Sequence, residues 1–507
     1  MIKLTPWQTI LLLCISCAAT AIASRAQTLT TLANFDYSNG NQPGSMALIE
    51  GTDGNFYGTT YSGGANGTGT VFKVTPGGEL TTLYSFCAQM SCPDGKSPSN
   101  GLVQATNGNF YGTASGGGAY NDGTVFEITP DGALTTLHSF NGVDGANPVG
   151  ALMQANNGNF YATTYSGGAS VACPNGPGCG TVFEITAEGE LTTLHSFNGA
   201  DGQFPSSGVI QATDGNFYGT TQYGGGNICY QGPPGLGSNQ GCGTVFKLNN
   251  TGQLITLHSF DSTDGWLPGG GLVQATDGNF YGTTAWGGAS NFGTVFKITP
   301  GGELTTLHSF DLTDGSMPFI SMVQANDGNL YGTTTGGGPN AVPGTMNGGD
   351  GTVFEITAAG ELTTLHAFDG TDGASVYGGL LQATNGEFYG TTTLGGTGPN
   401  CGGGCGTVFS LSVGLDPFVR TEPTSGEAGA AVLILGTDLT GATKVSFNGV
   451  AAAFTVVSNS EIRTTVPAGA TSGKVEVATP HGMLSSNVPF EVGLQRPRHH
   501  RPIRPAL

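Results

Sequence analysis

Positive charge is scarce in this chain. Its 507 residues hold 14 Lys and Arg against 34 Asp and Glu, a formal charge of −20. Between residues 27 and 414 there are four Lys (Lys73, Lys96, Lys247, Lys297), no Arg and 27 acids. A field of that sign repels phosphate backbones, which excludes nucleic acid as a partner. Long apolar runs are scarce too: the best of them, residues 10–23, is interrupted by Ser16 and Thr20. It falls short of the roughly 20 apolar residues that cross a bilayer as a helix, so no membrane span is expected. The 89 Gly show no Gly-X-Y period, which excludes collagen. Catalytic signatures are missing as well. Gly95-Lys96-Ser97 imitates a phosphate loop, but the glycine required five residues earlier is Met90. There is no Gly-x-Ser-x-Gly and no His-Glu-x-x-His. What is present is 37% hydrophobic residues, enough for packed cores, in a chain long enough for more than one domain.

Residues 1–26 have the form of an export signal. Lys3 supplies the positive start, residues 10–23 the apolar stretch, and Ala21-Ile22-Ala23 or Ser24-Arg25-Ala26 the small residues before cleavage. The mature protein is expected outside the cytoplasm, extracellular, on the cell surface or in the periplasm. Its eight remaining cysteines fall into four close pairs, Cys87/Cys92, Cys173/Cys179, Cys229/Cys242 and Cys401/Cys405. An even count in an exported chain reads as disulfides. Zinc would need the pairs to converge, and they lie in different repeats.

Self-similarity dominates residues 27–412. Gly-Thr-Val-Phe occurs seven times, beginning at Gly69, Gly123, Gly180, Gly243, Gly293, Gly351 and Gly406. A period near 50 residues is that of a propeller or another repeat array. Each period carries four segments rich in Thr, Val and aromatics, here called A to D and illustrated by residues 101–106, 110–113, 123–129 and 134–140. Asp-Gly-Asn or Asn-Gly-Asn joins A to B, and Pro-Gly-Gly or a relative joins C to D, both turn signals. Each period is therefore a four-stranded antiparallel meander, and seven of them close into a seven-bladed β-propeller. The chain opens with a D-type strand, residues 29–35, and its last repeat lacks one, so the first strand is expected to complete the last blade.

The run from Leu-Thr-Thr-Leu-His-Ser-Phe through Asp-Gly-Asn-Phe-Tyr-Gly-Thr-Thr to Gly-Thr-Val-Phe resembles the "GloVer" tandem repeat of exported bacterial proteins, in all seven copies. The resemblance implies the propeller and export and brings no activity with it. Pro423-Thr424-Ser425-Gly426, Leu435-Gly436-Thr437-Asp438-Leu439, Val445-Ser446-Phe447-Asn448-Gly449 and Val466-Pro467-Ala468-Gly469 resemble an IPT/TIG domain, which implies an Ig-like β-sandwich used for interaction or spacing. The expected organisation is an all-β chain: signal peptide 1–26, propeller 27–414, sandwich 415–492, and a basic Pro-rich tail 493–507 that is solvated and disordered.

In such a meander the B–C and D–A loops share one end of the blade. They vary in length while the opposite turns do not, so binding is sought on that face. Tyr61, Tyr165, Tyr223 and Trp286 stand just ahead of the Gly-Gly of B–C loops, and Trp266 lies in a D–A loop. Aromatic faces among Asn, Asp and Gly suit sugar rings or peptide segments, or else cover their own loops. Every D–A loop also repeats an Asx-Gly step, at Asn39, Asp94, Asp144, Asp201, Asp264, Asp314 and Asp372, with a further acid three residues earlier at Asp261, Asp311 and Asp369. This reads first as an Asx turn. Calcium at Asp261/Asp264, Asp311/Asp314 and Asp369/Asp372 is the sharper alternative, although the full Asp-x-Asp-x-Asp-Gly pattern is absent. No other cofactor and no catalytic residue is expected. His138, His195, His258, His308 and His366 share one D-strand position, and Ala33 in another copy shows that it needs no imidazole. The function expected is a monomeric, exported, non-catalytic protein binding polysaccharide or an extracellular protein through the loop face. The rivals are an extracellular lyase or glycosidase using loop-face acids, and a passive adhesion element.

Overall fold

The computed structural model describes residues 27–44, 47–98, 100–170, 173, 178–229, 241–341 and 348–493, and every regular element among them is a strand. The expected signal peptide and all of the tail beyond residue 493 lie outside the described residues. No described helix is long and apolar enough to cross a membrane.

After β1 (Thr28–Asn34) and a short β2 (Asn41–Pro43) come the four strands of the first blade, β3 (Ile49–Glu50), β4 (Phe56–Ser62), β5 (Thr70–Val74) and β6 (Leu80–Ser85). They pair antiparallel in chain order, and six further sheets repeat the pattern. The result is a seven-bladed β-propeller. In the seventh sheet the outer strand is β1, which pairs with Thr407–Ser412 and so joins the two ends of the repeat region, as the incomplete last copy predicts.

The Phe-Tyr step of six B strands, replaced by Leu330-Tyr331 in the sixth blade, explains why the blades cohere, because consecutive side chains leave opposite faces of a strand. The tyrosine meets the phenylalanine of the next blade: Tyr57 on Phe110, Tyr111 on Phe160, Tyr161 on Phe217, Tyr218 on Phe280 and Tyr331 on Phe388, with centroids 4.1–4.3 Å apart. Tyr389 closes the circle on Phe56 at 3.9 Å. A second circle of edge-on pairs links the end of each D strand to the next C strand, from Phe86–Phe126 round to Phe35–Phe72, at 5.1–5.4 Å. Each ring buries on the order of 150–250 Å², so these contacts dominate the propeller core.

The A strands are shorter than the six residues expected, with only two paired in each, such as Val103–Gln104. The backbone before them turns around the axis and gives its carbonyls to the preceding blade: Thr59 donates to Asn100 O, Thr163 to Ser207 O and Thr283 to Ile320 O. The backbone after them is already in the A–B turn, where Ala105 N–H donates to Asn109 O.

From Arg420 onward two four-stranded sheets, one containing Ala431–Leu435 and Glu461–Thr465 and the other Lys444–Phe447 and Val475–Thr479, enclose Val432, Ile434, Phe447, Ile462, Val477 and Phe490. This is the Ig-like sandwich. It docks on the A–B turns of the seventh and first blades: Phe418 N–H donates to Thr384 O (2.9 Å), Ser460 Oγ to Thr52 O (2.7 Å) and Arg420 Nη2 to Glu50 O (3.2 Å).

Candidate site at the loop-face mouth of the propeller axis

The D–A loops are built by their acids. In the loop between the fourth and fifth blades Asp264 Oδ1 accepts the N–H of Asp261, while Asp261 Oδ1 accepts from the N–H and hydroxyl of Thr263. The other oxygen of Asp264 meets His258 Nε2 at 2.7 Å. The same pairing joins His308 to Asp314, His366 to Asp372, His195 to Asp201 and His138 to Asp144, and Tyr84 to Asp94. Each imidazole also stands edge-on to the phenylalanine two residues later. Asp311/Asp314 and Asp369/Asp372 close their turns through the same bonds as Asp261/Asp264. These carboxylates hold backbone, threonine hydroxyl and imidazole. Among the described residues no group of three or more His, Cys, Asp or Glu is arranged to hold a metal ion.

Beyond each turn the chain crosses from blade to blade through one residue with left-handed backbone: Gln42, Ser97, Asn147, Phe204, Leu267, Met317 and Ser375, with φ of 52–59°. Such a conformation costs a residue with a Cβ about 1–2 kcal/mol, and the crossing bonds offset it. Phe204 N–H donates back to Cys179 O (2.9 Å), and its carbonyl accepts from Gln222 N–H (3.2 Å) in its own blade. Gln42 makes the same backward bond to Cys405 O across the closing seam (3.1 Å). The next residue is Pro in six of the seven loops, and in five blades the one after it lines the mouth of the axis.

That position differs between blades. It is Val149, Ser206, Gly269, Phe319 and Tyr377 in the third to seventh blades, and these five, with Asn100, Tyr165, Gly270, Ile320 and Ser321, line a cavity of about 190 Å³ at the mouth of the axis. Two aromatic pairs flank it. Tyr165 stacks on Phe204 (4.9 Å, 15°), and Phe319 stands edge-on to Tyr377 (6.3 Å). Burial raises the phenol pKa of Tyr165 and of Tyr377, so both remain neutral at ordinary pH. Among the described residues the lining contains no carboxylate, imidazole or ammonium group.

The aromatic residues expected from sequence are distributed unequally around this mouth. Tyr165 is in the lining, and Tyr223 is half-buried beside it, edge-on to Phe204 at 6.0 Å. Tyr61 is 46% exposed, away from the cavity. Trp266 and Trp286 are only 4% and 8% exposed; their backbones bond to each other and their rings pack with Cys229, Cys242 and Met317. Their role in the structure is packing. Phe319 and Tyr377 escaped the sequence reading, and the signal that finds them is the residue after Pro318, and after Val376 where the seventh loop lacks the proline. The four cysteine pairs form disulfides inside single loops, Cys87–Cys92, Cys173–Cys179, Cys229–Cys242 and Cys401–Cys405. A second cavity, about 480 Å³, lies at the other end of the axis between the A strands and the start of the sandwich, and shares no residue with the first.

A family model described as the Gloeobacter/Verrucomicrobia repeat matches residues 20–233 and 235–440. The chain belongs to this repeat family. An IPT/TIG domain model matches residues 419–492. No curated protein matches the chain. Solved structures similar to this member of the repeat family include a virginiamycin B lyase from Staphylococcus aureus, 12% identical over 76% of this chain and 99% of that one, with a TM-score of 0.48. A gluconolactonase from Xanthomonas campestris is 12% identical over 77% and 92%, with a TM-score of 0.38. A luciferin-regenerating enzyme is 11% identical over 78% and 98%, with a TM-score of 0.40. At these identities and scores none of those activities is carried over to this Gloeobacter/Verrucomicrobia repeat protein.

Proposed function

We propose that this chain is an exported binding protein that engages polysaccharide or an extracellular protein through the B–C and D–A loop face, as a monomer and without transforming its ligand. In this reading residues 1–26 are removed on export, the propeller of residues 27–414 carries the site, and the sandwich of residues 415–492 is a spacer or second contact. The observation that carries it is the axial cavity, walled by Tyr165, Phe319 and Tyr377 and lined, among the described residues, by no group that titrates near neutrality. A glycosidase needs two carboxyl groups facing the bond it breaks, and the D–A loop acids Asp261, Asp264, Asp311, Asp314, Asp369 and Asp372 are held in turns by backbone and imidazole. Of the aromatic set, Tyr165 and the exposed Tyr61 act as contacts. Tyr223, Trp266 and Trp286 support the rim.

A glycan array together with turnover assays on the purified mature chain tests this reading. Saturable binding without product is the expected result. Product formation that is abolished by replacing a loop-face acid would replace it with the enzyme reading.

A further inference from the structure

Resting on that reading, we propose that the axial cavity takes a single uncharged sugar unit, presented at the end or on a branch of a neutral polysaccharide. Three observations lead there. At about 190 Å³ the cavity is smaller than the roughly 300–1,000 Å³ of pockets for drug-sized ligands, so it admits one unit of a polymer and not a whole oligomer.

Its walls and its hydroxyls are complementary to a sugar ring. Tyr165 on Phe204 and Phe319 beside Tyr377 supply aromatic surface for C–H faces. Ser206 donates its hydroxyl hydrogen to Gly269 O (3.1 Å), which leaves its oxygen to accept. Ser321 Oγ already accepts from Gly271 N–H (2.7 Å), which leaves its hydrogen to donate. One acceptor and one donor against flanking rings match the neighbouring hydroxyls of a sugar, each of which both donates and accepts. A peptide side chain as apolar as the walls would leave both serines unanswered.

Charge decides the class of sugar. Among the described residues the lining carries no cation, and the propeller around it has four Lys against 27 acids. A uronate or other anionic polymer would enter this field with no counter-charge at the site.

The test is isothermal titration of the full mature chain with mannohexaose, maltohexaose, cellohexaose and N-acetylchitohexaose, with trigalacturonate as the charged probe. The expected result is one-to-one binding of a neutral hexaose, at least about ten-fold weaker in Tyr377→Ala and in Phe319→Ala, a loss of one decade in Kd. Tyr377→Phe, which keeps the ring, stays near wild type. Should an alanine variant lower the melting midpoint, competition by the free monosaccharide of the bound hexaose replaces it as the readout, and failure to compete overturns the proposal. Binding of a neutral hexaose untouched by both alanine variants, or binding of trigalacturonate alone, overturns the proposal and leaves the loop-face reading standing. No binding of any probe up to millimolar concentration also overturns it, and the array then judges the loop-face reading by itself.

Discussion

Closure of the ring rests on one strand from the far end of the repeat region, and a single side chain probes it. Phe35, directly after β1, is fully buried, lies edge-on to Phe72 of the first blade at 5.1 Å and packs with Ala33, Leu48 and Val408. Truncating a ring in such a site costs about 3–5 kcal/mol. Phe140 occupies the same place between the second and third blades, edge-on to Phe183 at 5.3 Å, where chain connectivity is ordinary. If β1 closes the ring, Phe35→Ala and Phe140→Ala lose similar stability, about 3–5 kcal/mol each. Deleting residues 28–35 is far worse. It removes the pairing of Thr28–Asn34 with Thr407–Ser412 and leaves the latter as a bare edge. Against a total stability of about 5–15 kcal/mol, no cooperative transition should remain. Urea denaturation of the oxidised protein, followed by far-ultraviolet circular dichroism and by intrinsic fluorescence, reads all three. Phe35→Ala within about 1 kcal/mol of wild type, while Phe140→Ala loses 3–5 kcal/mol, would refute closure through β1.

Three further outcomes are expected. The B-strand tyrosines resist alkali: burial, and then the carboxylate each phenol bonds, lift Tyr57, Tyr161 and Tyr281 above their ordinary value and push Tyr111 up to about 12. A raised folded pKa gives stability that is full below pH 10 and lost as pH climbs through the folded value, so the difference in absorbance at about 295 nm between wild type and Tyr57→Phe should appear only with unfolding; a difference near pH 10 in the folded protein would refute it. Asp214 behaves oppositely, because although burial alone would raise its pKa, Lys247 at 2.8 Å and Asn216 bring it down to about 2. Its contribution is present above the unfolded value of 3.8 and lost as pH falls through about 2, so the difference in melting midpoint between wild type and Lys247→Met should shrink from pH 6 to pH 2, and growth of that difference in acid would contradict it. Glu50→Gln should change stability by less than about 1 kcal/mol and Glu50→Ala by about 1–3 kcal/mol, since only the latter leaves the Thr384 N–H buried without an acceptor; equal losses in thermal melts would show that the charge matters and not the hydrogen bond.

Sequence carries most of this architecture because each blade restates the same physical demands. An aromatic Tyr at one step, an Asx-Gly turn and Gly-Thr-Val-Phe recur seven times over, so repetition itself reports strands, hairpins and the end of the blade on which the variable loops lie. The local disulfides follow from spacing inside single loops. The axial cavity was not legible in the same way. Tyr165, Phe319 and Tyr377 come from three blades and meet only once the ring is closed. Trp286, which packs in the core, and Tyr61, which faces solvent, differ by one residue in the repeat: Trp286 directly precedes Gly287, whereas Ser62 stands between Tyr61 and Gly63, and a one-residue offset turns the side chain to the opposite face.

Departures from the repeat are therefore where this chain says something other than "blade". Six A strands place a Gln (Gln104, Gln154, Gln211, Gln274, Gln324, Gln382) where β3 places Glu50. Five of those glutamines accept a backbone N–H from the A–B turn of the preceding blade: Gln104 from Thr52, Gln211 from Asn156, Gln274 from Thr213, Gln324 from Thr276 and Gln382 from Asn326. Glu50 does the same across the closing seam, taking Thr384 N–H at 3.0 Å, and its second oxygen takes the Thr384 hydroxyl at 2.7 Å. An amide offers one acceptor oxygen and a carboxylate two. The second oxygen fixes a hydroxyl that in turn lies 3.0 Å from Thr437 Oγ1 of the sandwich, while Arg420 donates to the Glu50 carbonyl. The exchange of amide for carboxylate thus falls at a junction that must satisfy a neighbouring blade and a neighbouring domain together. The same logic singles out Phe319 and Tyr377: a position filled by Ser or Gly in the fourth and fifth blades needs no ring for the fold, and the two adjacent blades that supply one bring both rings to the cavity lining.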